Sequence, residues 1–351
     1  MFAIIGLIKR RLSSFVRKIK SPLKLWNFLG LKAGYFLSWK KVPFLPITID
    51  IEPTNTCNFK CPHCQVTHWD KKKVYLDENS FNKVIAQFPH LDEVKLQGMG
   101  EPLLNKQLVA IIKLAKKQDI SIFFHSNGSV CDQKLSEQLA TLKNTKINFS
   151  LDGATAETFE TIRVGSQFER VKNNIQYLTH IRSDQKQPNL SAWTVITHEN
   201  LHEVSQIVRL SKDLGLDSIT LQPFLSNWGK EEMEKYTEPV KVELDSERLA
   251  TALREAEKIA IENKVDLKVD YANFYSKTKK CPWPWRSTYI ASNGDVVPCC
   301  VIADSDTVKM GNVFEKDFAE IWNSKEYQDF REKIINHDLP NYCKNCYIDA
   351  E

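Results

Sequence analysis

Between residues 47 and 223, short apolar runs alternate with longer segments of helical period. Residues 47–52, 93–98, 120–125, 145–151, 190–197 and 217–223 read as strands. Helices fit 78–88, 103–117, 132–142, 155–163, 167–181 and 200–214. About six strand–helix units in a row predict an α/β fold, a parallel sheet with helices outside it, part-closed or closed as a barrel. A parallel sheet keeps its ligand site at the C-terminal ends of its strands.

The pattern changes on either side of this stretch. Met1, Ile5, Ile8, Leu12, Phe15 and Ile19 recur at steps of three and four and share one helical face. Lys9, Arg10, Arg17, Lys18 and Lys20 lie mostly off it. Residues 1–20 therefore read as a basic amphipathic helix, suited to an anionic membrane surface or to packing on the protein body. Residues 21–46 continue basic and aromatic. After Pro223 a polar stretch to 240 reads as a linker, and a charged helix fits 241–263. From Cys281 onward the chain reads as short strands and turns rich in cysteine. This divides the chain into an N-terminal segment 1–46, a barrel 47–223, a linker with helix 224–280, and a Cys-rich unit 281–351.

Charge sharpens that division. Residues 1–41 hold ten Lys or Arg and no Asp or Glu, so the remainder carries 38 basic against 44 acidic residues. No recognised nucleic-acid motif accompanies the basic segment, and a nucleic-acid partner is not expected. No apolar run approaches the ~18 residues of a membrane span, and the N-terminus lacks a signal peptide's cleavage pattern. The expected location is cytoplasmic, with peripheral membrane contact through residues 1–20. Nine cysteines in 351 residues are too few for a disulfide scaffold. In a reducing compartment, clustered cysteines read as metal ligands.

Cys57, Cys61 and Cys64 form C-x3-C-x2-C in the loop after the first strand. Three such thiolates suit an iron–sulfur cluster with one iron left open, or a zinc site completed by His63 or His68. Further motifs fall in register. Gly98-Met-Gly-Glu-Pro102 ends the second strand, Ser126-Asn127-Gly128 follows the third, Ser150-Leu-Asp-Gly153 ends the fourth, and Arg163 lies a helix later. Singly, each has an ordinary reading: a tight turn at the glycines, a helix cap at Glu101, a turn at Asp152, a solvated Arg163.

Together, in this order, these motifs resemble the radical S-adenosylmethionine (radical SAM) superfamily over about residues 47–223. Met99 stands where the family's Gly-Gly-Glu-Pro has its first glycine, and His63 where an aromatic residue is common. The resemblance implies a partial (β/α)6 TIM-like barrel. It implies a [4Fe-4S] cluster on Cys57, Cys61 and Cys64 with SAM at the open iron. Gly100 and Glu101 would meet the SAM amino group. Ser150, Asp152 and Arg163 would hold its carboxylate and ribose, with Ser126 and Asn127 beside them. Reductive cleavage of SAM to methionine and a 5′-deoxyadenosyl radical, fed by a low-potential donor such as flavodoxin or ferredoxin, would then abstract a substrate hydrogen.

The C-terminal 71 residues hold Cys281, Cys299, Cys300, Cys343 and Cys346, spaced C-x12-Gly-x4-C and then C-x2-C. Spacing alone admits zinc or a second iron–sulfur cluster. The arrangement resembles the SPASM extension, or its shorter one-cluster form called twitch. That resemblance implies a small α+β domain with an auxiliary [4Fe-4S] cluster on Cys281, Cys299, Cys343 and Cys346. Cys300 is a neighbour able to replace Cys299, and Cys131 reads as a free thiol. The implied activity is that of an oxidoreductase-type radical SAM enzyme, oxidising or rearranging a small or lipid-linked molecule. His198, Asp270 and Tyr271 are candidate bases. Two alternatives stand beside it: a peptide-modifying enzyme, disfavoured because only about 46 residues precede the first strand, and a non-catalytic zinc or iron–sulfur interaction protein.

Overall fold

The structure is a computed structural model and describes residues 21–183, 186–270, 275–276, 280–344 and 346–348. The expected helix of residues 1–20 and the candidate base Tyr271 lie outside them.

The six expected strands form and pair in sequence order, all parallel: β1 Thr48–Ile51, β2 Glu93–Leu96, β3 Ser121–Ser126, β4 Thr145–Ser150, β5 Asn189–Val195 and β6 Ser218–Gln222. The helices between them are α2 Glu78–Ile85, α3 Leu108–Lys117, α4 Gln133–Ala140, α5 Ala156–Ile162, α6 Phe168–Ile181 and α7 Val204–Asp213. Three of these start at side-chain caps legible in the sequence. Asp77 accepts from the Ser80 N–H, Asp132 from the Leu135 N–H and Thr155 from the Thr158 N–H. Strand alternation sorts the faces. On β3, Ile122 and Phe124 are buried under the helices, while Phe123 and His125 line the interior cavity.

Three features depart from the expectation. First, residues 22–36, read only as basic and aromatic, form helix α1, Pro22–Phe36, capped by Ser21. Second, residues 224–280 are more than a linker. Helix α8, Glu247–Asn263, leads into β7, Asp266–Val269, which pairs parallel to β6 and extends the sheet. Third, the Cys-rich part joins the same sheet at its other edge. β8, Tyr275–Ser276, pairs with the terminal β12, Tyr347–Ile348. β9, Tyr289–Ile290, lies parallel to β1, and β10, Asp295–Val297, and β11, Gly311–Asn312, follow antiparallel. The main sheet therefore runs β11-β10-β9-β1-β2-β3-β4-β5-β6-β7.

Buried Arg331, in the helix Lys325–Ile335, ties the C-terminal part to the N-terminal segment. It donates to the carbonyls of Pro284 and Lys40, both at 2.8 Å, and stacks on Trp322. A buried cation spending its donors on carbonyls locks these segments in register.

Candidate active site

The loop after β1 brings Cys57, Cys61 and Cys64 to the wall of a cavity of about 610 Å³ at the C-terminal ends of the strands. All three thiols are free. Burial pushes Cys57 up to about 11 and Cys64 up to about 12, and raises Cys61 as well. Thiols so buried ionise only beside strong positive charge, which iron supplies. Some compensation is built in. The Phe59 N–H points at the Cys57 sulfur at 3.4 Å, and the Arg163 guanidinium sits beside Cys61. Three thiols carried by one loop at the cavity wall suit a cluster, in which each iron takes its own thiolate. His68 is turned away: its Nε2 lies 2.6 Å from the Pro62 carbonyl and its ring stacks on Tyr236. His63 lines the cavity, and burial with Arg163 nearby lowers it to about 4, leaving a neutral ring.

The second loop fits against the first through its glycines. A Cβ on Gly100 would stand 2.2 Å from the Thr54 carbonyl oxygen and 2.6 Å from that of Thr56. One on Gly98 would meet Glu52 and the Tyr289 hydroxyl within 2.6 Å. Only glycine permits this approach. The Glu101 N–H then donates to Thr56 O at 2.8 Å. The Glu101 carboxylate is buried and committed: it accepts from Leu103 N at 3.0 Å, Ser126 Oγ at 2.8 Å and Asn127 N at 2.7 Å. Asn127 in turn donates to Asn58 Oδ1 at 3.1 Å, beside Cys57. Glu101, Ser126 and Asn127 thus bracket the cysteine loop and line the cavity, as Gly100, Ser150 and Arg163 also do.

Asp152 is the exception among the expected cofactor contacts. It is buried and does not line the cavity. One carboxylate oxygen accepts from Arg163 Nε at 2.6 Å and also pairs with Nη2; the other accepts from Val195 N at 2.9 Å. Its place is behind Arg163, fixing the guanidinium.

Sequence reasoning missed the opposite wall. Lys95, Gln97, Trp193 and Gln222 reach it from β2, β5 and β6. The alternation Glu93-Val94-Lys95-Leu96-Gln97, which puts Lys95 and Gln97 on the face opposite Val94 and Leu96, was the available signal. Phe224, Leu225 and Trp228 of the supposed linker close the cavity, and Trp228 Nε1 donates to the His63 carbonyl at 3.2 Å. The linker is held there by Lys230, which shares buried Asp304 with Lys71. Asp270 lines the cavity and pairs with Lys268; His198 is exposed and does not line it.

The second cysteine group also assembles. Cys299 lies with Cys281 and Cys346, and Cys343 with Cys346 and Cys281. Burial pushes Cys346 up to about 11 and raises Cys343 further. Four thiols from three separated segments suit a closed iron–sulfur site. Cys300 touches Cys299, but it is Cys300 that lines the main cavity, beside Asp50 and Lys95. Cys131 is buried apart from both groups, with its sulfur 3.3 Å from Ser136 Oγ.

Comparison with known proteins agrees with this geometry. The family model of the radical SAM superfamily matches residues 51–211, and that of SPASM, an iron-sulfur cluster-binding domain, matches 281–347. A tungsten-containing aldehyde ferredoxin oxidoreductase cofactor-modifying protein of Pyrococcus furiosus is 25% identical over 85% of this chain and 86% of its own. The PqqA peptide cyclase of Gluconobacter oxydans is 24% identical over 87% of this chain and 84% of its own. Streptococcus suis SuiB, solved with S-adenosylmethionine, shares the fold with a TM-score of 0.66 at 17% identity, over 82% of this chain and 68% of its own. SuiB has also been solved with its precursor peptide SuiA, and gives a TM-score of 0.65. Among the described residues no helix is long and apolar enough to cross a membrane.

Proposed function

Because the chain carries a radical SAM domain, matched over residues 51–211, and a C-terminal SPASM domain, matched over 281–347, we propose that it is a radical SAM enzyme acting on a small molecule or on the exposed group of a lipid-linked one. Cys57, Cys61 and Cys64 would hold the SAM-binding [4Fe-4S] cluster, and Cys281, Cys299, Cys343 and Cys346 one auxiliary cluster. When bound and reduced by a low-potential donor such as ferredoxin or flavodoxin, the first cluster supplies one-electron cleavage of SAM to methionine and a 5′-deoxyadenosyl radical.

The chain's own groups prepare the site. The Gly98–Glu101 turn and Asn127 hold the cysteine loop in place. Arg163, oriented by Asp152, offers a carboxylate a charge-assisted partner. Phe224, Leu225 and Trp228 give the cavity an apolar wall. Lys95, Gln97, Trp193 and Gln222 face the space left for substrate.

The observation that carries the substrate reading is cavity size. About 610 Å³ lies within the range that takes a drug-sized ligand. With SAM and its cluster also to be housed, the space that remains suits a small reacting group. A second reading, peptide modification, draws support from the fold shared with peptide-bound SuiB. The test is 5′-deoxyadenosine formation by anaerobically reconstituted protein with SAM and dithionite. The wild type forms it and the Cys57/Cys61/Cys64→Ala variant does not; equal yields sink the assignment. Stimulation by a lipid extract but not by a peptide fraction supports the first reading, and the reverse supports the second.

A further inference from the structure

Helix α1 presents two unlike faces. Asn27, Gly30, Leu31 and Gly34 are buried against the body of the protein. Gly30 lies under the Phe44 ring and Gly34 beside Trp39 and Trp285, so the helix cannot roll about its axis. The other face carries Trp26, Leu29, Phe36 and Leu37, exposed by 66%, 50%, 72% and 66%. Positions 26, 29, 33, 36 and 37 follow the three-and-four spacing of one helical stripe. Leu23, in the first turn, is exposed as well. Five of the nine large apolar side chains that stand out into solvent among the described residues fall within residues 23–37. A concentration of this kind marks an interaction surface.

We propose that this stripe docks the protein on an anionic lipid bilayer. The charge of the surrounding chain selects that occupant. Residues 1–41 carry ten basic residues and no acidic one. Lys32 on α1 and Lys41, four residues past Leu37, are exposed, whereas Lys24 is spent on the Leu91 carbonyl and Lys40 pairs with Glu332. A second copy of the chain would bring two such basic segments together, which repels. A nucleic acid would have no use for the apolar stripe. An anionic interface satisfies both: Trp and Phe settle at headgroup depth, and each lysine or arginine near the surface adds roughly 1 kcal/mol.

The body-side face of α1 packs on an element that lines the cavity. Tyr35 of α1 packs edge-on against Trp285 at 5.9 Å, and its hydroxyl donates to the Lys280 carbonyl at 3.0 Å. Trp283 and Arg286, on the same short helix as Trp285, line the cavity. α1 therefore stands between its exposed stripe and the Trp283–Arg286 side of the cavity. Delivery of substrate from the membrane rests on the proposed function; the docking itself does not.

The test is co-sedimentation of full-length, cluster-loaded protein with phosphatidylcholine vesicles, with and without phosphatidylglycerol. The wild type should bind only the anionic vesicles and release as salt is raised. Trp26→Ser/Phe36→Ser/Leu37→Ser should weaken binding about tenfold or more. Lys32→Glu/Lys41→Glu, which leaves the apolar stripe intact, should weaken it too. Unchanged iron content certifies that each variant is folded. Anionic-vesicle binding by the triple variant equal to wild type overturns the proposal. So does equal binding to phosphatidylcholine alone, or a wild type that ignores vesicles but forms a dimer which the triple variant abolishes in light scattering. SAM cleavage, measured separately without vesicles, stays intact in both variants, so failure of docking is distinct from failure of the chemistry.

Discussion

The Glu101 carboxylate takes the backbone N–H of Asn127 at 2.7 Å, joining the loop after β2 to the turn after β3. Its other oxygen takes the Ser126 hydroxyl and the Leu103 N–H. Glu101→Ala leaves three buried donors unsatisfied. Each costs about 1–3 kcal/mol when it finds no water. Urea unfolding should show a loss of several kcal/mol, and SAM affinity should fall, with Glu101→Gln intermediate. An unchanged midpoint for Glu101→Ala would refute the bracket.

Gly100→Ala places a methyl group 2.2 Å from a backbone carbonyl that has nowhere to move. Overpacking of this kind costs about 1–3 kcal/mol and displaces the cysteine loop. We expect lower thermal stability and poor reconstitution of the first cluster, read as iron per chain.

Asp152 meets the cavity wall through Arg163 and the Val195 N–H and does not line it itself. Asp152→Asn leaves a buried guanidinium with a neutral partner, a loss on the order of 3–5 kcal/mol if nothing relaxes. SAM binding, followed by equilibrium dialysis, should weaken in this variant nearly as much as in Arg163→Ala. Normal affinity in Asp152→Asn would show that Arg163 needs no such orientation.

Iron counting separates the adjacent cysteines. With two [4Fe-4S] clusters, about eight irons per chain fall to about four in Cys57/Cys61/Cys64→Ala and in Cys299→Ser. Cys300→Ser retains about eight, because Cys300 faces the main cavity. Loss of four irons in Cys300→Ser and none in Cys299→Ser would reverse the assignment.

His125 packs edge-on to Phe123 and Trp193, and burial lowers it to about 3. Its ring is part-exposed to the cavity. Below pH 6.5 the unfolded chain takes up a proton that the folded ring refuses. Stability is therefore intact above pH 6.5 and declines as pH falls toward 3, by at most about 3 kcal/mol at pH 4.5. His125→Phe should flatten that part of the stability–pH curve.

The sequence by itself determined what is local. Strand and helix periods, the caps at Asp77, Asp132 and Thr155, and the spacing of Cys57, Cys61 and Cys64 depend on residues within a few positions of one another. So does the placing of motifs at strand ends, since every strand of a parallel sheet brings its C-terminal end to the same edge. Only the tertiary structure decided what distant segments do together. β7 and β9 join the main sheet because β6 and β1 offer unpaired edges, which no local pattern foretells. Asp152 turned to Arg163 because a buried carboxylate needs a cation more than it needs a cavity. Phe224 and Trp228 became a wall because Lys230 and Lys71 both bind Asp304, 74 and 233 residues away. The exposed stripe of α1 is visible only once its other face is buried, because amphipathicity becomes a surface when packing has chosen which side faces water.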